Sequence, residues 1–149
     1  MKFYVDADAC PVKDAVVRVA ERHNVQLFFV SNSWMKLPNS GVVERVVVSA
    51  GPDVADDWIA ERCTSGDIVV TSDIPLASRC VKAGAKVLAP DGKAFSESSI
   101  GMALAMRDLM TDLRETSGMQ THNKAFMPRD RSRFLDAMER LVQDIKHGR

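Results

Sequence analysis

Short apolar runs rich in β-branched residues recur along this chain, separated by segments with helical spacing, and that alternation leaves few folds open. "KFYV" (2–5), "VQLFFV" (25–30), "VVERVVV" (42–48), "DIVVT" (67–71) and "AKVLA" (85–89) read as strands. Four of them are largely apolar, as strands buried on both faces of a parallel sheet must be. "PVKDAVVRVAERH" (11–23) carries Val12, Ala15, Val16, Val19 and Ala20 on one stripe, with Pro11 suited to a first helical turn. "PDVADDWIAERC" (52–63) gathers Val54, Ala55, Trp58, Ile59 and Cys63 in the same way, and "IPLASRCVKAG" (74–84) ends on Gly84, a natural helix stop. Strand and helix alternate, which predicts an α/β fold with right-handed crossovers on a mainly parallel sheet.

Beyond "LAPDGKAF" a long helical stretch is expected from about Ser96 to Thr116, then a surface loop over 117–128 and a last amphipathic helix. That helix sets Phe134, Leu135, Met138, Leu141, Val142 and Ile145 against Arg140 and Lys146, and it can dock on the sheet or in a homodimer. Met102, Met106 and Met110, with Met119 beyond, read as core by their spacing, an interface being the alternative. At 149 residues and 46% hydrophobic, the chain reads as one domain, 1–149, with its C-terminal helices (about 96–146) packed on it.

The 20 basic and 20 acidic residues cancel, so any polyanion site must be local. Nothing resembles a secretory leader or a run of about 18 apolar residues, so the expected location is the cytoplasm, with no membrane partner. Cys10, Cys63 and Cys80 are far apart and never in a CxxC pair, which points to small buried thiols rather than disulfides or a zinc knuckle.

Acidic residues fall repeatedly at the carboxyl ends of the predicted strands, where a parallel sheet builds its ligand crevice. Asp6 and Asp8 follow "FYV", Asp53, Asp56 and Asp57 follow "VVVSAG", and Asp73 follows "IVVTS". Strand periodicity puts Asp6 and Asp8 on one side; at about 6 Å and an effective dielectric near 20 they repel by about 3 kcal/mol. A divalent ion resolves the conflict, and hard oxygen donors without His or Cys favour Mg²⁺ or Mn²⁺ over zinc. On the second helix Asp53 and Asp57 lie opposite the Val54/Trp58 stripe while Asp56 sits at its flank. Structural roles are also open to each acid: N-caps for Asp8 and Asp73, dipole complementation for the first-turn acids.

"VDADACPVK" (5–13), "GPDVADDWIA" (51–60), "GDIVVTSDIPLA" (66–77), "VLAPDGK" (87–93) and "RDRSRFLDAMERL" (129–141) resemble the YaiI/YqxD family of small bacterial proteins, itself similar to PIN-like nucleases. The resemblance covers nearly the whole chain. It implies a three-layer α/β/α sandwich whose acidic cluster binds Mg²⁺ or Mn²⁺ and hydrolyses RNA phosphodiesters. By that resemblance Asp6 matches the acid ending the first strand, Asp73 the acid after the fourth, and Asp53 or Asp56 the acid on the intervening helix. Asp8 belongs to the family motif alone. Asp6, Asp56 and Asp73 are thus the implied catalytic residues, and Asp6, Asp8, Asp53, Asp56 and Asp73 the metal set. "THNKAF" (121–126) departs from the family's more glycine-rich pattern.

Such a site needs basic or polar side chains against phosphate, and Lys13, Asn32, Thr71, Ser72 and Arg131 are the candidates. Trp34, in "SNSWMKLPNSG" (31–41), either stacks a base or covers the core from above. Two other classes compete with the nuclease reading. One is a phospho-aspartate protein, either a phosphatase with Asp6 and Asp8 as its acid pair or a receiver domain, although Ala89-Pro90 stands where a receiver needs a lysine. The other is a catalytically silent module that binds RNA or protein.

Overall fold

The computed structural model describes residues 1–51, 53–102, 104–106 and 126–148. Its strands are β1 (Lys2–Asp6), β2 (Gln26–Ser31), β3 (Val43–Val47), β4 (Ile68–Val70), β5 (Lys86–Leu88) and β6 (Ala94–Phe95). Its helices are α1 (Lys13–His23), α2 (Val54–Arg62), α3 (Ile74–Lys82), α4 over the described residues 97–102 and 104–106, and α5 (Pro128–Lys146). One sheet takes all six strands in the order β3-β2-β1-β4-β5-β6, every pairing parallel except β5 with β6.

That order creates the position that matters for function. The chain moves outward from β1 through β2 to β3, returns across the sheet, and continues outward from β4 to β5 on the other side. The carboxyl ends of β1 and β4 therefore flank the point where the winding reverses, and the loops there diverge to opposite faces and leave a crevice.

Right-handed crossovers put the helices on both faces, which makes three layers. On one face Phe3, Val5, Leu27, Phe29, Ile68, Val70 and Leu88 pack against the Ala15/Val16/Val19 side of α1 and against Phe134, Met138 and Val142 of α5. On the other, Tyr4, Val30, Val69 and Val87 meet Ala55 and Ile59 of α2, Leu76, Ala77 and Cys80 of α3, and Ile100 of α4. Trp58 closes that layer edge-on to Tyr4, with Phe28 stacked on the tyrosine. The amphipathic last helix thus docks on the sheet. Arg131 Nη2 donates to Asp14 Oδ2 at 2.7 Å, and Arg22 and His23 both reach Glu139, which ties α5 to α1.

Several expectations are corrected. α1 starts at Lys13 with Pro11 in the turn before it, and α5 starts at Pro128 because Asp130 Oδ2 accepts the Met127 N–H at 2.8 Å. β6 carries no sequence periodicity at two residues; it exists because Ala89 donates to Lys93 O and turns the chain back along β5. Met102 and Met106 are exposed rather than core, while Met110, Met119, the rest of the 96–116 stretch and the loop through residue 125 lie outside the described residues. The three thiols are buried and free, and burial pushes Cys10 up to about 11. Among the described residues no helix is long and apolar enough to cross a membrane.

Candidate functional site

Asp6 is the last residue of β1, and the backbone then tightens into a single 3-10 turn, Ala7–Ala9. That turn corrects the strand-period argument for Asp8. Asp8 leaves the sheet register, caps no helix, and instead accepts the Asn32 N–H on Oδ2 at 3.0 Å, which fastens the loop after β2 to the loop after β1.

Across the winding reversal, β4 ends and Thr71 follows, buried, with its backbone N–H on Leu88 O at 3.1 Å. Its hydroxyl donates to Asp6 Oδ2 at 3.1 Å and accepts the Asp73 N–H at 3.0 Å. Asp73 then caps α3, its Oδ1 accepting the Leu76 N–H at 2.9 Å. One hydroxyl therefore fixes the Asp6 carboxylate and the Asp73 backbone relative to each other, and it does so from a position where the sequence suggested a substrate contact. Ser72 beside it is exposed.

The acids of the α2 region separate by environment. Asp53 is the N-cap with φ of 66°, a left-handed conformation that Asp tolerates better than most residues. Asp57 is paired with Arg79 Nη1 at 2.6 Å. Among the described residues Asp56 has no such partner. Burial, then the charges of Asp73, Asp6 and Asp53, push it from its ordinary 3.8 to about 6, with Arg79 opposing. Asp6 is raised too, by burial and by Asp8 and Asp73, against the Thr71 hydrogen bond and Lys13. Asp73 thus acts on both Asp6 and Asp56, and Asp6 on Asp56, although the three come from β1, α2 and the start of α3. Among the described residues no Lys or Arg lies within 4.0 Å of Asp6, Asp8, Asp53, Asp56 or Asp73.

A divalent cation suits this donor set in chemistry and in sign: hard carboxylate oxygens, crowded, with Lys13 and Arg79 only partly offsetting their charge. Among the described residues no three His, Cys, Asp or Glu side chains stand together as a ready ligand set. The crowding is thus a property of the charges, and ligand geometry is not preformed.

Of the remaining candidates, Lys13 Nζ donates to Cys10 O at 2.6 Å and lowers the Asp6 pKa, so it belongs to the same neighbourhood. Asn32 touches it through Asp8. Arg131 is engaged by Asp14 on the outer side of α1. The "THNKAF" segment and His122 lie outside the described residues.

A family model described as uncharacterized, YaiI/YqxD, matches residues 4–144. The chain belongs to the YaiI/YqxD family. Similar curated proteins are named UPF0178 protein: one from Rhodopseudomonas palustris (strain HaA2) is 56% identical over 148 residues, covering 99% of this chain and 90% of the relative. One from Nitrobacter winogradskyi is 55% identical, covering 99% and 94%, and one from Azorhizobium caulinodans 56% identical, covering 97% and 91%. No solved structure matches the chain.

For this YaiI/YqxD chain the crowded carboxylates carry a stability prediction. With the Asp56 pKa raised to about 6, the folded chain holds a proton that the unfolded chain has already released between about pH 4 and 6. The stability this proton gives is complete below the unfolded value and is lost as pH rises through 6. Asp56→Asn should therefore melt higher than the wild type at pH 7, by about 1 kcal/mol given solvent screening of so open a side chain, and the gain should fade below about pH 4. Thermal melts of metal-free protein across that range check it; an unchanged or lower melting temperature at pH 7 contradicts it.

Proposed function

We propose that this chain is a Mg²⁺- or Mn²⁺-dependent nuclease of the PIN-like kind, hydrolysing phosphodiester bonds of single-stranded RNA in the cytoplasm. The observation that carries the reading is the crowding of carboxylates at the winding reversal of the sheet, where Asp73 disfavours the charge of both Asp6 and Asp56, and Asp6 that of Asp56. Structural first-turn acids would face solvent or a basic partner, as Asp57 faces Arg79. Three buried free thiols favour a reducing compartment.

Asp6, Asp56 and Asp73 would hold the ion, with Asp53 and Asp8 at the rim. A bound divalent ion supplies Lewis acidity toward water and positive charge toward phosphate. The rest is done by the chain. Thr71 keeps the Asp6 carboxylate aimed by its 3.1 Å hydrogen bond, and Asp73 is held by its role at the head of α3. Lys13, fixed on Cys10 O, offsets phosphate charge beside Asp6. No side-chain nucleophile is required.

The test is incubation of the full chain with end-labelled single-stranded RNA. Cleavage that needs Mn²⁺ or Mg²⁺ and stops with EDTA is the expected result. No cleavage with either metal would overturn the reading, and a stable phosphoryl adduct after exposure to a small phosphodonor would favour the phospho-aspartate class instead.

A further inference from the structure

Trp34 does not cover the core. It stands 67% exposed at the rim of the sheet, an unusual place for the largest apolar side chain. Nor is it loose. The Arg45 guanidinium of β3 lies 4.8 Å from the ring centroid, and Arg45 Nη2 donates to Met35 O at 3.2 Å, so the loop is clamped to the edge strand. Ser31 Oγ donates to Ser33 O at 2.8 Å and stiffens the turn into it. One face of the indole is thus occupied by a cation and the other is left to solvent. Trp58 makes the contrast: Arg62 covers it at 4.1 Å, but its remaining contacts are Tyr4 and Phe28, so that ring is consumed by packing.

The loop that carries Trp34 is also tied to one of the acids, Asp8. Asn32 donates its N–H to Asp8, and Trp34 is two residues further on, within about 7 Å along the backbone. We propose that Trp34, backed by Arg45, is a stacking platform for an unpaired base of single-stranded RNA whose neighbouring phosphate is presented to the Asp6/Asp56/Asp73 cluster; this rests on the nuclease reading above.

The physical need for such a platform follows from the cluster itself. Crowded carboxylates repel a phosphate chain, so a strand must be anchored beside them by a contact that is not carboxylate chemistry. Base stacking on an aromatic ring supplies it for any base, and the cation beneath the ring strengthens the hold. A duplex hides its base faces, so the platform selects single strands. Arg45 and the exposed Lys36 add positive charge around the ring.

The experiment is fluorescence anisotropy of a 5′-labelled oligouridylate with the full chain in EDTA, where binding is read without cleavage. Trp34→Ala should weaken binding about tenfold and Trp34→Phe distinctly less, with melting temperatures lowered only slightly because the ring is exposed and loses one surface contact, to Arg45. The loss should vanish on an abasic strand of equal length. Equal affinity of Trp34→Ala and wild type, an equal loss on the abasic strand, or no binding by the wild type would overturn the platform. Metal-dependent cleavage with no Trp34 effect sinks the platform alone. A Trp34-dependent affinity with no cleavage under either metal sinks the nuclease reading and leaves an RNA-binding site.

Discussion

Asp6→Asn is expected to lower Mn²⁺-dependent cleavage of single-stranded RNA on the order of 10²–10³-fold while leaving the fold intact. Asn keeps an oxygen to accept the Thr71 hydroxyl, so the 3.1 Å contact between the ends of β1 and β4 survives. What disappears is a negative charge that burial, Asp8 and Asp73 all disfavour. The variant should therefore melt no lower than the wild type at neutral pH, and that pairing of lost activity with retained stability separates a functional carboxylate from a structural one. Cleavage at the wild-type rate, or a fall in melting temperature large enough to explain the loss, would count against the assignment.

Gly92→Ala should be the most damaging change far from the acids. Gly92 turns the chain from β5 into β6 at φ of +93°, and a Cβ built there would lie 2.7 Å from the Arg133 carbonyl carbon and 2.9 Å from its oxygen. Those are backbone atoms of α5, and they cannot withdraw without lifting the next residue, Phe134, from its fully buried place on the sheet. The left-handed conformation costs about 1–2 kcal/mol for a side chain and the overpacking about 1–3 more, so about 2–5 kcal/mol is expected. Gly84 is the control: its φ is +92°, but the nearest atom to an added Cβ is Ser65 Cβ at 3.4 Å. Gly84→Ala should cost only the conformational part. Urea midpoints of the two variants decide, and equal losses would mean that α5 is not seated against the turn.

What the residues disclose in advance depends on the range of the forces involved. The central strands are legible because a strand buried on both faces must be apolar throughout, as "IVV" in β4 is. The places of Asp6 at the end of β1 and Asp73 just past β4 are legible because each follows directly on an apolar strand run. The strand order is not legible: the reversal between β1 and β4 depends on which side of the sheet each crossover takes, and no local pattern records that. Thr71 reads as a phosphate contact until the pairing of β1 with β4 brings its hydroxyl to Asp6. Helical spacing already sets Asp57 apart from Asp56, but its partner Arg79 comes from α3 and is not legible locally. Trp34 is ambiguous for the same reason, since its cation comes from β3, across the sheet edge. A Thr two residues before a helix-capping Asp, at a strand end, is the one signal that could have flagged the Thr71 link.

The central claim is that Asp6, Asp56 and Asp73 share one patch of negative charge that a small hard cation neutralises. Calorimetric titration of Mn²⁺ into the metal-free full chain at pH 6 tests it most directly, because Asp56 then carries about half a proton. Saturable binding is predicted for the wild type, with a heat that changes between buffers of different ionisation enthalpy as that proton is released, and with much weaker binding to Asp6→Asn. Binding that is absent from the wild type, or undiminished in Asp6→Asn, would contradict it.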